Sequence, residues 1–188
     1  IWSRMRGAGT IYARFADTFV HSSRLSELAG ALSAATDAGA VDTIIAWFSE
    51  VPPPSDLASH AHEIDAAFKH DSVEAIRDFL QGMNTDWARK AAADLDHRSP
   101  LSLKLTLAAI RNARSLPSLE AALNVEFRLT VRLLEHGEFL EGVRALLVDK
   151  DKQPKWNPPR LEDESDEMVA RFFSPLPPGE ALELVAPA

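Results

Sequence analysis

The sequence predicts a mainly α-helical chain with one short strand near residues 16–21, and three observations carry that expectation. From Ser22 onward, apolar residues recur at the three- and four-residue spacing of a helix face. Helix-start residues stand repeatedly ahead of those runs, the strongest being Ser99-Pro100, a capping hydroxyl followed by proline at the first helical position. Only Ala16 to His21, with Phe19 and Val20, has an extended pattern. With 188 residues, 46% of them hydrophobic, the chain is long enough to bury a substantial core.

In chain order, Ile1 to Arg14 carries Arg4, Arg6 and Arg14 with no acid before Asp17, and Gly7 and Gly9 weaken helix propensity, so a loop leading into a short helix is expected. The Phe19 strand needs a sheet to join, because a lone strand is not stable. Ser22 or Ser23 is placed to cap a helix through Ala35 with Leu25, Leu28, Ala29 and Leu32 inward, and a second helix covers Val41 to Phe48. Pro52, Pro53 and Pro54 form a stiff hinge before Ser55 and Asp56 open a third helix bearing Leu57, Ala61, Ile64, Ala67 and Phe68. Asp71 with Glu74 makes a capping-box pattern for a fourth, containing Val73, Ile76, Phe79 and Leu80. Asp86 starts a fifth around Trp87, Ala91 and Leu95, and Ser99-Pro100 a sixth running to about Ala113.

Leu119 to Glu135 is the most apolar helix. At about 100° per residue, Leu119, Ala122, Leu123, Val125, Phe127, Leu129, Leu133 and Leu134 fall on one broad arc, with Asn124, Arg128, Arg132 and Glu135 opposite. Glu126 and Thr130 sit inside the arc, which predicts a buried carboxylate acting as a structural acceptor rather than as a general base. Gly137 interrupts the pattern, and a second apolar set follows in Phe139, Val143, Leu146 and Leu147 before Pro154. The acidic stretch Glu162 to Glu167 precedes a last helix with Met168, Val169, Phe172 and Phe173, ended by Pro175, Pro177 and Pro178.

A net charge of −8 argues against a general nucleic-acid binder, since phosphate binding needs a basic face. No cysteine is present, so disulfides, thiolate zinc sites and thiol nucleophiles are excluded. No apolar run approaches the roughly 18 residues that span a bilayer. His60 and His62 lie two apart, on opposite sides of a helix, so with Glu63 they read as a solvated face rather than a metal site. His70, His97 and His136 stand near helix ends, where capping is expected, and Ser102 and Ser115 lack a neighbouring base. One stretch runs against the acidic balance. From Arg144 to Arg160 five basic residues (Arg144, Lys150, Lys152, Lys155, Arg160) face two acids (Asp149, Asp151).

That stretch also carries a resemblance. Glu141 to Trp156, EGVRALLVDKDKQPKW, resembles the C-terminal signature of the crotonase superfamily, and its Asp149, Lys150, Asp151, Lys152, Pro154, Lys155 and Trp156 are similar to the 3-hydroxyisobutyryl-CoA hydrolase branch. Ser99 to Leu107 and Asn124 to Leu129 match that branch in the same order, and Arg4 to Leu25 resembles the end of the crotonase core. Glu138 departs from the pattern, standing where the family usually has Asp.

The resemblance implies the C-terminal portion of a crotonase-like α/β enzyme: the end of the core over residues 1–35, a helical insertion or linker over 36–98, a helical layer covering the acyl-CoA site over 99–156, and an acidic, proline-rich tail over 157–188. The implied activity of the complete protein is hydrolysis of 3-hydroxyisobutyryl-CoA in valine catabolism, in the cytoplasm or mitochondrial matrix, with coenzyme A as part of the substrate, no separate cofactor, and homo-oligomers allowed. Enoyl-CoA hydration or isomerisation on the same fold, and a non-catalytic helical interaction module, are the alternatives. The family's catalytic carboxylates lie in motifs of the type M-P-E and F-P-D-x-G, and neither stands in this sequence. The chain is therefore expected to be a C-terminal half that needs its N-terminal core as partner and is inactive alone. Lys150, Lys152 and Trp156 are the residues the resemblance assigns to the nucleotide end of coenzyme A, the lysines as point charges for phosphate and Trp156 as a flat apolar surface for adenine. The alternative is a solvated exit segment. Lys104, Arg111 and Arg114 form a weaker second basic candidate.

Overall fold

The computed structural model describes residues 5–182, and no strand occurs among them. The chain divides into two compact units, Ile1–Ala66 and Ala67–Ala188.

The first unit contains α1 (Gly7–Tyr12), a 3-10 turn at Ser22–Arg24, α2 (Leu25–Ser33), α3 (Ala38–Phe48), α4 (Asp56–Ser59) and most of α5 (Ala61–Phe68). Packing joins α1 to α4 and α2 to α3. Arg24 holds the second pair: its guanidinium lies 4.5 Å from the Phe48 ring centroid and 5.1 Å from that of Trp47, and donates to Glu50 at 3.3 Å. The expected strand at 16–21 is corrected here. The segment is extended but makes one ladder-like bond, Glu50 N–H to the Phe19 carbonyl at 2.9 Å, and one bond is no ladder. Phe19 is instead held by its ring, which packs so closely on Gly7 that a Cβ there would lie 2.8 Å from the Phe19 Cε2.

The second unit is built around α8 (Pro100–Ala113). Leu101 and Leu105 sit about 200° from Leu103 and Leu107 at the helical period, so α8 has two apolar faces. Leu103 and Leu107 pack on a core of Ala67, Ile76, Leu80, Ala88, Ala92 and Leu95, supplied by α5, α6 (Val73–Gly82) and α7 (Asp86–Asp96). Leu101 and Leu105 are buried with Leu129 of α9 (Leu119–His136) and Phe172 of α11 (Asp166–Phe172). Side-chain caps begin these helices: Ser72, Thr85, Ser99, Ser118 and Ser165 each accept the N–H three residues on, at 3.0 to 3.2 Å. Three expected starts shift slightly: α3 begins at Ala38, capped by Asp37, rather than at Val41. Ser72 rather than Asp71 caps α6, and α2 begins at Leu25 because Ser22 and Ser23 fall in the 3-10 turn.

Cations tie the layers together. Lys104 of α8 donates to Glu74 of α6 at 2.7 Å and to the Glu164 carbonyl at 2.7 Å, just beyond a 3-10 turn at Leu161–Asp163. Burial pushes the Glu74 carboxyl upward, but its hydrogen bond to Lys104 and its backbone bond outweigh that, and the net shift is downward. Arg77 of α6 reaches Glu162 at 2.8 Å, and Arg111 of α8 donates to the carbonyls of His70 and of Asp71, the latter at 2.6 Å. Arg128 and Arg132 of α9 satisfy carbonyls at the end of α11: Phe173 at 2.6 Å, Ser174 at 3.1 Å and Pro175 at 3.0 Å. Lys104 and Arg111 are thus committed to internal contacts.

The broad arc of α9 is only partly covered. Leu129 is buried and Val125 and Leu133 are half-buried, whereas Leu119 is 70% exposed and Leu123, Phe127 and Leu134 are also open. Glu126, expected to be buried, is exposed, and so is Thr130, whose hydroxyl donates to the Glu126 carbonyl at 2.8 Å. The reason is angular: Glu126 lies about 60° from Leu129, at the rim of the face that meets α8 rather than at its centre.

Lys104→Met leaves Glu74 and the Glu164 carbonyl without their donor. The Lys104 side chain is 13% exposed and that of Glu74 26%, so the loss lies between those of surface and buried pairs, about 2–3 kcal/mol by urea denaturation. Glu126→Ala is expected to change stability by less than about 0.5 kcal/mol.

Candidate functional site

Gly137, at φ 91°, ends α9 in the left-handed conformation and passes directly into α10 (Glu138–Val143). A single π turn follows at Arg144–Val148, and the chain then leaves as an irregular segment to Trp156. This exit is organised by one side chain. Arg144 donates to both Glu141 oxygens at 2.8 and 2.9 Å, to Asp149 at 2.5 Å, to Asp151 at 2.8 Å and to the Gln153 carbonyl at 3.0 Å. Glu141 also accepts the Lys155 N–H at 2.6 Å, and Asp151 that of Gln153 at 2.8 Å. The electrostatic result is reciprocal. The Arg144 hydrogen bonds, then the Lys155 N–H, hold the Glu141 carboxyl down at about 2, and the same acids push the Arg144 guanidinium up.

Lys150 and Lys152 both adopt φ 56°, a left-handed backbone that non-glycine residues rarely hold. Alternation then separates the charges. Asp149 and Asp151 turn toward Arg144, while Lys150 and Lys152 are exposed, and among the described residues neither ammonium has a partner. Trp156 is half-buried rather than a free flat surface. Its ring lies against Gly142, where a Cβ would come within 3.4 Å of Cη2, and its indole N–H is buried without a hydrogen-bond partner among the described residues. The structure therefore leaves Lys150 and Lys152 exposed two residues apart on the exit, with Trp156 packed against Gly142 of α10.

Sequence reasoning missed Glu141 and Arg144 as the organising pair, although their i, i+3 spacing on a helix is a readable signal. It also missed a buried acid pair beside the exit. Glu138 and Glu164 are 6% and 5% exposed, and both Glu138 carboxylate oxygens and one of Glu164 lack a hydrogen-bond partner among the described residues. Burial raises both carboxyls. Ser99, His136 and the Asn157 backbone oppose the shift at Glu138, and His136 and Lys104 oppose it at Glu164. Glu138 is the position where the resemblance implies Asp, and its side chain is buried.

A shallow groove of about 300 Å³ lies between α8 and α9, with Leu105, Ala109, Leu129 and Leu133 beneath and Ser102, Thr106, Glu126 and Thr130 along it. It offers hydroxyls and one carboxylate over an apolar floor. In the first unit, the His60 Nδ1 lies 3.1 Å from Glu63.

Residues 3–173 match the enoyl-CoA hydratase/isomerase family. The mitochondrial 3-hydroxyisobutyryl-CoA hydrolase of Gallus gallus is 33% identical over 180 residues, covering 92% of this chain and 46% of that protein. Small ribosomal subunit protein mS47 of Arabidopsis thaliana is 35% identical over 149 residues, covering 74% of this chain and 36% of its own length. Among solved structures, a carnitinyl-CoA dehydratase from Mycobacterium thermoresistibile superposes with a TM-score of 0.84 at 33% identity, covering 93% of this chain and 49% of that one. The chain thus spans less than half the length of the curated relatives it matches.

Two titrations check this geometry. The carboxyl of Glu141 is expected to titrate near about 2 by carbon NMR, because its depressed folded value makes the clamp fully stabilising above 4.5 and lost only as pH falls through about 2; a midpoint near 4.5 would mean that the clamp does not form in solution. Glu138 has the opposite sign. A raised folded value means that the native state keeps its proton above 4.5, so stability declines as pH rises through the raised value. Glu138→Gln is expected to stabilise the fold at pH 7 and to be neutral near pH 4, measured by urea denaturation at the two pH values.

Proposed function

We propose, since the chain belongs to the enoyl-CoA hydratase/isomerase family, that the complete protein is an acyl-CoA thioester hydrolase acting on 3-hydroxyisobutyryl-CoA, with this chain as its C-terminal helical portion. The observation that carries the reading is the 33% identity with such a hydrolase over 92% of the chain, including the whole exit segment. Thioester hydrolysis needs donors aimed at the developing oxyanion and a carboxylate poised to activate the attack. The family's carboxylate motifs are absent from these 188 residues, so the chemistry belongs to the remainder of the protein. What this chain contributes is binding. Lys150 and Lys152 offer two ammonium groups to the phosphates of the coenzyme A nucleotide, and Trp156, braced on Gly142, supports the base of that segment.

A second reading rests on a different observation. The 35% identity with a ribosomal subunit protein supports use of the same helical fold as a non-catalytic assembly module, and enoyl-CoA hydration is the runner-up within the enzymes.

The test is thiol release from 3-hydroxyisobutyryl-CoA by the full-length protein and by the 188-residue chain. Release is expected from the first and background from the second, since losing even one oxyanion donor typically costs about 10²–10³ in rate. Equal turnover by both would place the active site in this chain, hydration of crotonyl-CoA without thiol release would select the hydratase, and inactivity of the full-length protein on both substrates would favour the assembly module. In the active enzyme, Lys150→Ala with Lys152→Ala should raise KM on the order of tenfold and leave kcat nearly unchanged, because the contacts are remote from the reacting carbon.

A further inference from the structure

We infer that Arg144 is a positioning residue for coenzyme A binding: it never touches the nucleotide but holds Lys150 and Lys152 in the geometry that does. The inference rests on the reading of those two lysines as phosphate contacts. Its first support is saturation. All three guanidinium nitrogens are engaged, Nε and Nη2 with Glu141, Nη2 also with the Gln153 carbonyl, and Nη1 with Asp149 and Asp151. An arginine has five N–H donors in a rigid fork, and five acceptors occupy it. Arg144 has no donor left for a ligand, although it is the most obvious anion-binding residue in the segment.

Backbone conformation is the second support. Lys150 and Lys152 both stand at φ 56°, and Asp151 between them is pinned twice, by Arg144 at 2.8 Å and by the Gln153 N–H at 2.8 Å. The Lys152 N–H is further bonded to the Ala145 carbonyl at 3.0 Å, and that of Asp149 to Arg144's own carbonyl at 2.8 Å. Two left-handed residues in a three-residue stretch persist only where surrounding contacts over-determine them. Charge is the third. Glu141, Asp149 and Asp151 would oppose an approaching phosphate, and Arg144 is the cation that faces all three. Removing it both loosens the lysines and uncovers three acids beside them. Lysine cannot substitute, because an ammonium is a point charge that cannot reproduce the fork.

The experiment titrates the full-length protein with coenzyme A by calorimetry and follows trypsin cleavage after Lys150 and Lys152 under native conditions. Arg144→Met is expected to raise the Kd on the order of tenfold, the effect of losing one charge-assisted contact, and to accelerate both cleavages without lowering Tm to the assay temperature. Arg144→Lys is expected not to rescue. In a Lys150→Ala, Lys152→Ala background, Arg144→Met is expected to add nothing, since it acts through the lysines. If the lysine double variant weakens binding and Arg144→Met does not, the positioning role is overturned while the lysine contacts stand. If the lysine double variant leaves Kd unchanged, the contact reading falls and the positioning role falls with it. Should Arg144→Met fail to fold, Asp149→Asn with Asp151→Asn, which releases only Nη1, carries the same expectations for cleavage and the same refutation if the loop stays protected.

Discussion

The second unit depends on one half-buried ammonium. Lys104 projects from α8 between two apolar cores and bonds to Glu74 on one side and to the Glu164 carbonyl on the other, each at 2.7 Å. A helix with two apolar faces can be gripped by two layers, but hydrophobic contact alone is non-directional and leaves the layers free to slide. The charge-assisted bonds from Lys104 fix how far along α8 the α6 helix and the Leu161–Asp163 turn lie. Arg77 and Arg111 repeat the device at the flanks, and Arg128 and Arg132 do the same for α11. The acidic chain thus spends its cations on register, with most of its acids left at the surface.

Arg144 applies the same logic to a loop. Its partners are three carboxylates and one carbonyl within twelve residues, so it folds the exit onto itself without help from a distant element. The consequence is a charge sorting that linear sequence does not display: alternating Asp and Lys become an inner acidic set gathered on one guanidinium, and an outer, exposed basic pair. An acidic protein can present a local cation site in this way without changing its net charge.

Two features show what the fold tolerates. The Glu138 and Glu164 carboxylates are buried with oxygens lacking hydrogen-bond partners among the described residues, so burial rather than pairing governs their protonation. The outer arc of α9, from Leu119 through Leu123 and Phe127 to Leu134, stays open although its spacing is that of a buried face. Periodicity reports that a face is apolar. What covers it is decided elsewhere.

Local signals in the sequence determined most of the helices, because capping and periodicity act within a few residues: Ser99-Pro100 begins α8, Gly137 ends α9, and the α11 run is where Met168, Val169, Phe172 and Phe173 place it. The family, too, was legible in Glu141 to Trp156, since that exit is one continuous string. Tertiary structure alone decided the rest. Glu126 moved to the rim and Glu138 to the interior because burial depends on which neighbour meets which angle of a helix, and the Phe19 segment stayed a single extended stretch because a ladder needs a second strand. Arg144 became the centre of the exit for the same reason: its partners lie three to nine residues away, and only the π turn and the two left-handed lysines bring them around one guanidinium.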